Sequence, residues 1–342
     1  MRGGPGGSPD TDSIRPLATL EIVCDESGFA GGNLVGPGHS PVFTHASIAI
    51  EPDRAADLVS ELRVRVRRGP GELKAARLTP LRGAEAATWL LDQPEMTADR
   101  ALVHLTDTRF FVLARTVDVL LGDQRVVGID SPGENPELRP AAVALYRASR
   151  RSPEEWRWNR FLVAAANLLR TNNRWLPPDP LPRFRESVED LLVIETHPEA
   201  ATTLGRLRAA EARAADARAA LTDDRRAAPL MEPLLPALMC AIQSWGARTE
   251  SLTVVHDEQS ALTSWRVAEM AARLAASPSG GRLVSLLRVD SREDPRVQVA
   301  DLLAGLARHW AIATLTGRTD PTGDRLRPLV DTRSVWVGSL DG

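Results

Sequence analysis

The sequence predicts a mixed α/β protein in which one sheet is covered by helices and interrupted by a large helical insertion. Three observations lead to this prediction. Strand patterns occur near both ends of the chain, helical patterns alternate with them, and strand patterns nearly vanish between about residues 130 and 246. Strands that alternate with helices favour a sheet layered with helices. The strands that return after the helical block favour one interrupted domain over two separate ones.

The first two strands are predicted from alternating apolar residues. Residues 17–24 alternate and run into the acidic sequence Asp25-Glu26-Ser27-Gly28, and a glycine-rich turn follows through Gly38. Residues 42–50 form a second apolar run. Such runs separated by glycine are typical of paired strands, so the two segments are expected to form a hairpin with a long loop.

Three further elements are expected before the insertion. Pro52-Asp53 opens a helix with one apolar face, and Gly69-Pro70-Gly71 ends it. Proline and an acidic residue are typical of a first helical turn. A second helix is expected at residues 84–91 and a third strand at residues 109–115.

The insertion is predicted to be helical. Residues 153–170 favour one helix, prolines interrupt the chain at 177–182, and residues 204–221 favour an exposed helix with alanine on its apolar side. The block also contains tryptophans close in sequence to several arginines: Trp156, Trp158, Trp175, Arg157, Arg160, Arg170 and Arg174. Aromatic and arginine side chains together can bind single-stranded nucleic acid. The favoured interpretation is a helical core with a charged outer face, and a surface for a protein partner or a second copy remains an alternative.

The strand and helix patterns resume after the insertion. Residues 252–255 form a strand that ends in His256-Asp257-Glu258, and a helix over residues 262–274 follows. Residues 283–289 form another strand. Asp294-Pro295 is a favourable N-cap and first position for a last helix that reaches about residue 314.

These patterns give five predicted segments. They are a disordered leader (1–16), the first part of the core (17–129), the helical insertion (130–246), the second part of the core (247–316) and a C-terminal tail (317–342).

Composition excludes several classes of protein. The chain has 342 residues, of which 43% are apolar and 25% charged, as in soluble globular proteins. Its net charge of −3 gives no overall attraction to nucleic acid. Two cysteines, Cys24 and Cys240, form neither a disulfide framework nor a metal-ligand spacing, which favours a reducing cytoplasm. No apolar run approaches the roughly 18 residues of a membrane span, so no membrane partner is expected.

Three aspartates are candidate ligands of a metal ion. Asp25 and Asp257 each close a strand, and Asp301 lies on the last helix, on the side opposite its apolar stripe. Functional sites in α/β proteins favour strand ends, and carboxylate oxygens suit Mg²⁺ or Mn²⁺. Each aspartate also has an ordinary interpretation, as a turn-forming residue or a surface charge.

Lys74 is the only lysine among 42 basic residues. A compact ammonium ion has chemistry that the planar guanidinium of arginine lacks. Lys74 is therefore a candidate functional residue, although a single surviving lysine in an arginine-rich chain is the alternative.

Four short motifs resemble the domain-of-unknown-function 3800 family, whose members have a ribonuclease-H-like fold. In chain order, they are Val23-Cys24-Asp25-Glu26-Ser27-Gly28, Glu72-Leu73-Lys74, His256-Asp257-Glu258, and Asp290-Ser291 followed by residues 297–305 with Gln298, Asp301 and Gly305. They lie in about the first hundred and the last ninety residues and leave the insertion unmatched. Cys24 departs from the family, which often has an aromatic or aliphatic residue there.

The resemblance implies a set of site residues. Asp25, Asp257 and Asp301 would be metal ligands, with Glu26 and Lys74 close to the site. Ribonuclease H places another acid on its first helix, where this chain offers only Glu61, so Glu72 is the expected substitute. The supporting residues would be Gln298, Glu258 and Ser27, and His256 is interpreted as structural in preference to a base.

These expectations combine into one function and one alternative. The first is a cytoplasmic, Mg²⁺- or Mn²⁺-dependent nuclease or phosphodiesterase of ribonuclease-H-like type, with DNA or RNA as its partner and the insertion selecting substrate or protein partner. The alternative is a non-catalytic ribonuclease-H-like module that binds or assembles in a defence or mobile-element system.

Overall fold

The structure, a computed structural model, describes residues 19–28, 34–36, 38–67, 73–78, 83–123, 125–170, 179–223, 229–277 and 281–336. Its strands are β1 (Thr19–Ser27), β2 (Val42–Ile48), β3 (Ala101–Asp107), β4 (Ser251–Asp257) and β5 (Arg282–Val289). The helices before β4 are α1 (Pro52–Arg65), α2 (Ala84–Leu91), α3 (Thr108–Leu121), α4 (Arg139–Arg151), α5 (Glu155–Leu168), α6 (Leu181–Ile194), α7 (Pro198–Ala209), α8 (Glu211–Asp223) and α9 (Leu234–Gly246). Those after it are α10 (Ser264–Ala276), α11 (Pro295–Leu315) and α12 (Gly323–Leu326), and two 3₁₀ turns span Ala75–Arg77 and Arg327–Leu329.

The protein is a mixed α/β protein with a five-stranded sheet in the order β3-β2-β1-β4-β5. β1 is central and pairs antiparallel with β2 and parallel with β4. β2 pairs antiparallel with β3, and β4 pairs parallel with β5. The carboxyl ends of β1, β3, β4 and β5 therefore lie at one edge of the sheet, which we call the carboxyl edge.

Helices cover both faces of the sheet because its central strands are apolar on both sides. On one face, α1, α2 and α11 pack against β2 and β3 in one hydrophobic core. On the other, α9 and α10 pack on Ile22, Cys24, Leu252 and Val254 of β1 and β4. Alternation along β1 directs Val23 to the first face, where it meets Val297 of α11.

Helices of the predicted insertion form a third core with α3. Buried residues of α3, α4, α5, α6 and α7 make up most of it. Its link to the sheet is Asp107, the last residue of β3. The Asp107 carboxylate accepts hydrogen bonds from the backbone N–H groups of Arg109 and Phe110 and from the hydroxyl of Tyr146. One side chain thus ends the strand, caps α3 and contacts α4.

The strand predicted at residues 109–115 is wrong, because this segment lies within α3 and the strand precedes it as β3. The aromatic and β-branched residues that favoured a strand are buried helical residues instead. The Asp107 cap stabilises the start of a helix at this point, and burial overrides the local strand preference.

The helix predicted over residues 204–221 is in fact parts of two helices, α7 and α8, which meet at Ala210. The last helix also differs from expectation. α11 was predicted to have a polar side opposite its apolar stripe, but nearly all its residues from Val297 to Ala307 are buried. It contacts β1, β2, β3 and α1, so it is a central packing helix.

Residues 330–335, within the predicted C-terminal tail, run along the outer edge of β3. The backbone N–H of Asp331 donates to the carbonyl of Val103, and that of Asp107 donates to the carbonyl of Val335. The backbone N–H of Leu105 donates to the hydroxyl of Ser334. Among the described residues, no helix has the length and apolar character needed to cross a membrane.

Candidate active site at the carboxyl edge

Asp25, Asp257 and Asp301 come from β1, β4 and α11. β1 and β4 pair in register up to Cys24 and His256, so Asp25 and Asp257 follow at neighbouring positions. Alternation directs both side chains to the face covered by α11, because Val23 and Val255, two residues earlier, meet Val297 there. Asp301 is on α11 one turn beyond Val297. Strand register and one helix thus direct the three predicted aspartates to the same side of the carboxyl edge.

The charges of Asp301 and Asp257 act on the carboxyl group of Asp25. Asp25 is 6% exposed. Burial, followed by the charges of Glu26, Asp301 and Asp257, raises the pKa of Asp25 to about 9. A hydrogen bond from the Glu26 N–H has the opposite, smaller effect and lowers this pKa. Burial and the charges of Asp257, Glu232 and Asp301 raise the pKa of Glu26 to about 8. The edge therefore concentrates acidic groups in a buried place, where Asp25 and Glu26 hold their protons near neutral pH unless a cation offsets the repulsion.

Lys74 lies beside one of these acidic groups. Its Nζ lies 3.8 Å from Oδ2 of Asp301, and its side chain is 59% exposed. Leu73 and Leu78 on either side of it are buried in the core. The segment also approaches α11 closely, since a Cβ added to Gly305 would lie 2.1 Å from the Cβ of Ala75. Gly305 therefore permits the close contact that holds Lys74 near Asp301.

A short chain of hydrogen bonds holds the loop beside Asp257. The backbone N–H of Ser291 donates to Oδ1 of Asp257 at 3.0 Å. Gln298 then donates from Nε2 to the carbonyl of Ser291 and accepts at Oε1 from Arg63. The predicted supporting residue Gln298 thus contacts the loop that orients Asp257.

By strand alternation Glu26 starts on the face of the sheet opposite Asp25, beside two buried histidines, but its carboxyl group also forms a hydrogen bond with that of Asp25. It pairs across the strands with His45, and its Oε2 is 3.8 Å from Nε2 of His256. The rings of His45 and His256 stack with centroids 5.4 Å apart. Burial lowers the pKa of His256 to about 4, so this ring is neutral at pH 7 and does not form an ion pair with Glu26.

The other predicted residues differ in position. The backbone carbonyl of Ser27 accepts from the hydroxyl of Thr44, which also donates to the carbonyl of Ala304 in α11. Ser27 therefore lies where β1 and β2 meet α11. Glu258 is exposed, and its backbone N–H donates to the carbonyl of Val289. Glu72 lies outside the described residues.

Two ionisable residues near this edge were not predicted. Arg308 lies on α11 seven residues beyond Asp301, and the charge of Asp301 acts on its guanidinium. Helical spacing contained this signal, because positions three, four and seven residues apart share a face. Glu232 precedes α9 and acts on Glu26. The local sequence of the insertion gives no sign of this approach.

The tryptophans of the insertion have different environments. Trp158 is fully buried, as a core residue would be, whereas Trp156 is 56% exposed. Trp156 lines a groove of about 520 Å³ between α5 and α6 together with Asn159, Arg160, Asn167 and Arg183. Arg160 already pairs with Glu186 and Asp190. Trp175 and Arg174 lie outside the described residues, and nucleic-acid binding by the insertion stays a prediction.

The carboxylate oxygens at the carboxyl edge are of the donor type, and carry the negative charge when ionised, that a hard cation binds. Carboxylate oxygens are the ligands that Mg²⁺ and Mn²⁺ prefer, and like-charged carboxylates repel one another unless a cation or a proton lies between them. In the described part of the chain, however, no group of three or more His, Cys, Asp or Glu side chains is arranged to hold a metal ion.

Comparison with known proteins adds no further information about this site. No family model matches the sequence, and neither the curated proteins nor the solved structures searched contain a match.

Proposed function

We propose that this chain is a Mg²⁺- or Mn²⁺-dependent phosphodiesterase or nuclease with a ribonuclease-H-like core. The observation that carries the proposal is that the β1–β4 register and helix α11 direct Asp25, Asp257 and Asp301 to one side of the carboxyl edge, with the Lys74 ammonium 3.8 Å from Asp301. The mixed sheet, with an acidic residue on its central strand and another on the adjacent parallel strand, supports the fold assignment.

Asp25, Asp257 and Asp301 would hold the metal, with Glu72 as a further ligand. A bound divalent cation would activate water and stabilise the leaving oxygen of a phosphodiester. The protein's own groups position the substrate. Lys74 holds a non-bridging phosphate oxygen through its ammonium, and the carboxylate of Asp301 keeps that ammonium at the site.

The remaining contacts limit motion at the site. The hydrogen bonds from Ser291 to Asp257 and from Gln298 to Ser291 restrict the Asp257 carboxylate. Thr44, through its bonds to Ser27 and Ala304, joins the end of β1 to α11. Supporting bonds of this kind hold functional side chains in a productive geometry.

The test is a cleavage assay on single-stranded and double-stranded DNA and RNA with added Mg²⁺ or Mn²⁺. Asp25→Asn should lower the rate at least about 10²-fold, because it removes a charge that the metal needs. Asp99→Asn is the matched control, since Asp99 is exposed and precedes β3 at the opposite edge of the sheet. Activity without metal, or equal activity of wild type and Asp25→Asn, would contradict the proposal.

A second candidate function is a non-catalytic module of the same fold that binds or assembles with partners in a defence or mobile-element system. The observation that favours it is that, among the described side chains, no three His, Cys, Asp or Glu residues are arranged to hold a metal ion. Calorimetric titration with Mn²⁺ separates the two functions. Binding that Asp25→Asn abolishes supports the enzyme, and the absence of Mn²⁺ binding supports the module.

A further inference from the structure

Arg308 belongs to the same stripe of α11 as Asp301 and Gly305. The three residues are spaced by four and three positions, so they follow one another along one face of the helix. This stripe meets the end of β1. A Cβ added to Gly28 would lie 2.8 Å from Cδ of Arg308, and a Cβ added to Gly305 would lie 3.9 Å from Oγ of Ser27. The Arg308 side chain therefore lies against the end of the strand that carries Asp25.

The Arg308 guanidinium has no anionic partner among the described residues. Its Nε is buried and forms no hydrogen bond within the described part of the chain, although buried N–H donors are nearly always paired in folded proteins. Arg296, near the start of the same helix, instead binds both Asp294 and Glu21. Burial lowers the pKa of Arg308, and the charge of Asp301 opposes this shift only in part. Within the described residues, Asp301 therefore acts on Arg308 without forming an ion pair with it.

We infer that Arg308 binds a phosphate group of the substrate beside the acidic site. The planar guanidinium has a fork of donors that matches the oxygens of a phosphate. Lys74 and Arg308 then contribute two positive charges near Asp301, and the hydroxyl of Ser27 adds a donor close to Gly305. The inference rests on the proposed function for the identity of the substrate, a phosphodiester or a terminal phosphate.

The experiment measures binding by titration calorimetry in Ca²⁺ buffer with Asp25 left intact, because Ca²⁺ takes the same oxygen ligands as Mg²⁺ in a looser geometry that suppresses cleavage. The probes are inorganic phosphate and a thymidine dinucleotide with one phosphodiester. Arg308→Met should weaken binding at least about tenfold, which is the effect of losing one charge-assisted hydrogen bond. Arg308→Lys should weaken it less, because it keeps the charge and loses the fork. If Arg308→Met does not fold, the affinity of Arg308→Lys for the two probes tests the inference.

The matched control is Arg318→Met, which removes the same charge from an exposed arginine just beyond α11. Equal affinities of the Arg308 variants and this control, or no binding of either probe, would overturn the inference. Tighter binding of the dinucleotide identifies a diester ligand, and tighter binding of inorganic phosphate identifies a terminal phosphate. Binding through Arg308 without cleavage by the wild type would support this inference and refute the proposed function. Cleavage at the same rate by the wild type and the Arg308 variants would support the proposed function and refute this inference.

Discussion

The ammonium of Lys74 is the group at the carboxyl edge whose chemistry arginine cannot replace. Its side chain is more than half exposed, so the fold does not require its size. Its position follows from the buried neighbours Leu73 and Leu78 and from the Ala75 contact with Gly305. The lone lysine is therefore held at a defined place beside Asp301, which makes its identity testable.

Lys74→Arg should keep the charge and the fold and yet lower the cleavage rate. The larger guanidinium cannot present a compact point charge to a phosphate oxygen. We expect a loss of roughly tenfold for Lys74→Arg and roughly 10²-fold for Lys74→Gln, by analogy with the loss of one transition-state donor. The measurement is the rate under single-turnover conditions.

Arg77→Lys is the matched control for Lys74→Arg. It makes the reverse exchange at an exposed position of the 3₁₀ turn that follows Lys74, and it should leave the cleavage rate unchanged. If Lys74→Arg were fully active, Lys74 would be a single surviving lysine in an arginine-rich chain and its proposed role would be lost.

At the scale of the element, α11 connects the acidic site to the core. It carries Gln298, Asp301, Gly305 and Arg308, and most of its other residues are buried against the sheet and α1. A helix that is buried on nearly all sides has little freedom to move. Small changes in its packing should therefore reach the site directly.

Gly305→Ala should displace the segment that carries Lys74. The added methyl group would overlap Ala75, and overpacking of this kind costs about 1–3 kcal/mol. The variant should lower the melting temperature and reduce the cleavage rate, and it should add little to the loss caused by Lys74→Gln, because both changes remove the same contact.

Gly205→Ala provides the control for the glycine substitution. Gly205 lies in α7 with nothing within 4 Å of an added Cβ, so this change should be neutral or slightly stabilising. Gly305→Ala with wild-type stability and rate would show that the close packing of Ala75 does not position Lys74.

Elements with a clear periodic pattern were predicted well, and elements decided by context were not. The β1, β2, β4 and β5 strands and the α1 and α11 helices follow from alternation, helical spacing and proline or aspartate at helix starts. The α3 helix was mistaken for a strand because its aromatic and β-branched residues are buried in the third core. The Asp107 cap could be recognised only once β3 was known to end there.

The same distinction applies to the site. Asp25 and Asp257 became candidates because they end strands, and Asp301 because it was expected on the polar side of the last helix. Arg308 was within reach of the same reasoning, since it lies two turns from Asp301. The meeting of Glu26 with His45 depends on strand register, and its approach to Glu232 depends on how the chain returns from the insertion. The local sequence specifies neither of these.

At the scale of the whole molecule, the sheet contains a row of buried histidines on the face opposite Asp25. His104 and His45 pair across β3 and β2, and His45 stacks on His256 of β4. Both ring nitrogens of His104 are buried, and neither has a hydrogen-bond partner among the residues that the structure describes. Burial, opposed by nearby Asp331, lowers the pKa of His104 from 6.5 to about 4, so folding favours its neutral form.

The free energy of unfolding should therefore depend on pH through His104. In the unfolded chain this group takes up a proton near its ordinary pKa of 6.5, and in the folded chain only near 4. Between these values the unfolded state binds more protons, so stability is present above pH 6.5 and falls as the pH decreases towards 4. The stability lost through His104 between pH 6.5 and pH 4 is roughly 3 kcal/mol.

Urea unfolding of the wild type and His104→Leu between pH 4 and 7 measures this contribution. Because other groups titrate in the same range, the relevant quantity is the free energy of unfolding of the wild type minus that of His104→Leu, which should decrease as the pH falls from 7 to 4. His309→Leu, the same change at an exposed histidine of α11, serves as the control. A difference that is constant across the range would show that His104 does not titrate in this way.

The segment that runs along β3 has a consequence for self-association. An unpaired outer strand offers its backbone groups to other chains and is a site of aggregation. Here residues 330–335 satisfy backbone groups of Val103, Leu105 and Asp107, so the chain covers its own outer strand. Within the described residues, β5 is left as the border of the sheet where a strand from another molecule could add, and arginines at its positions 282 and 288 oppose such growth by their charge.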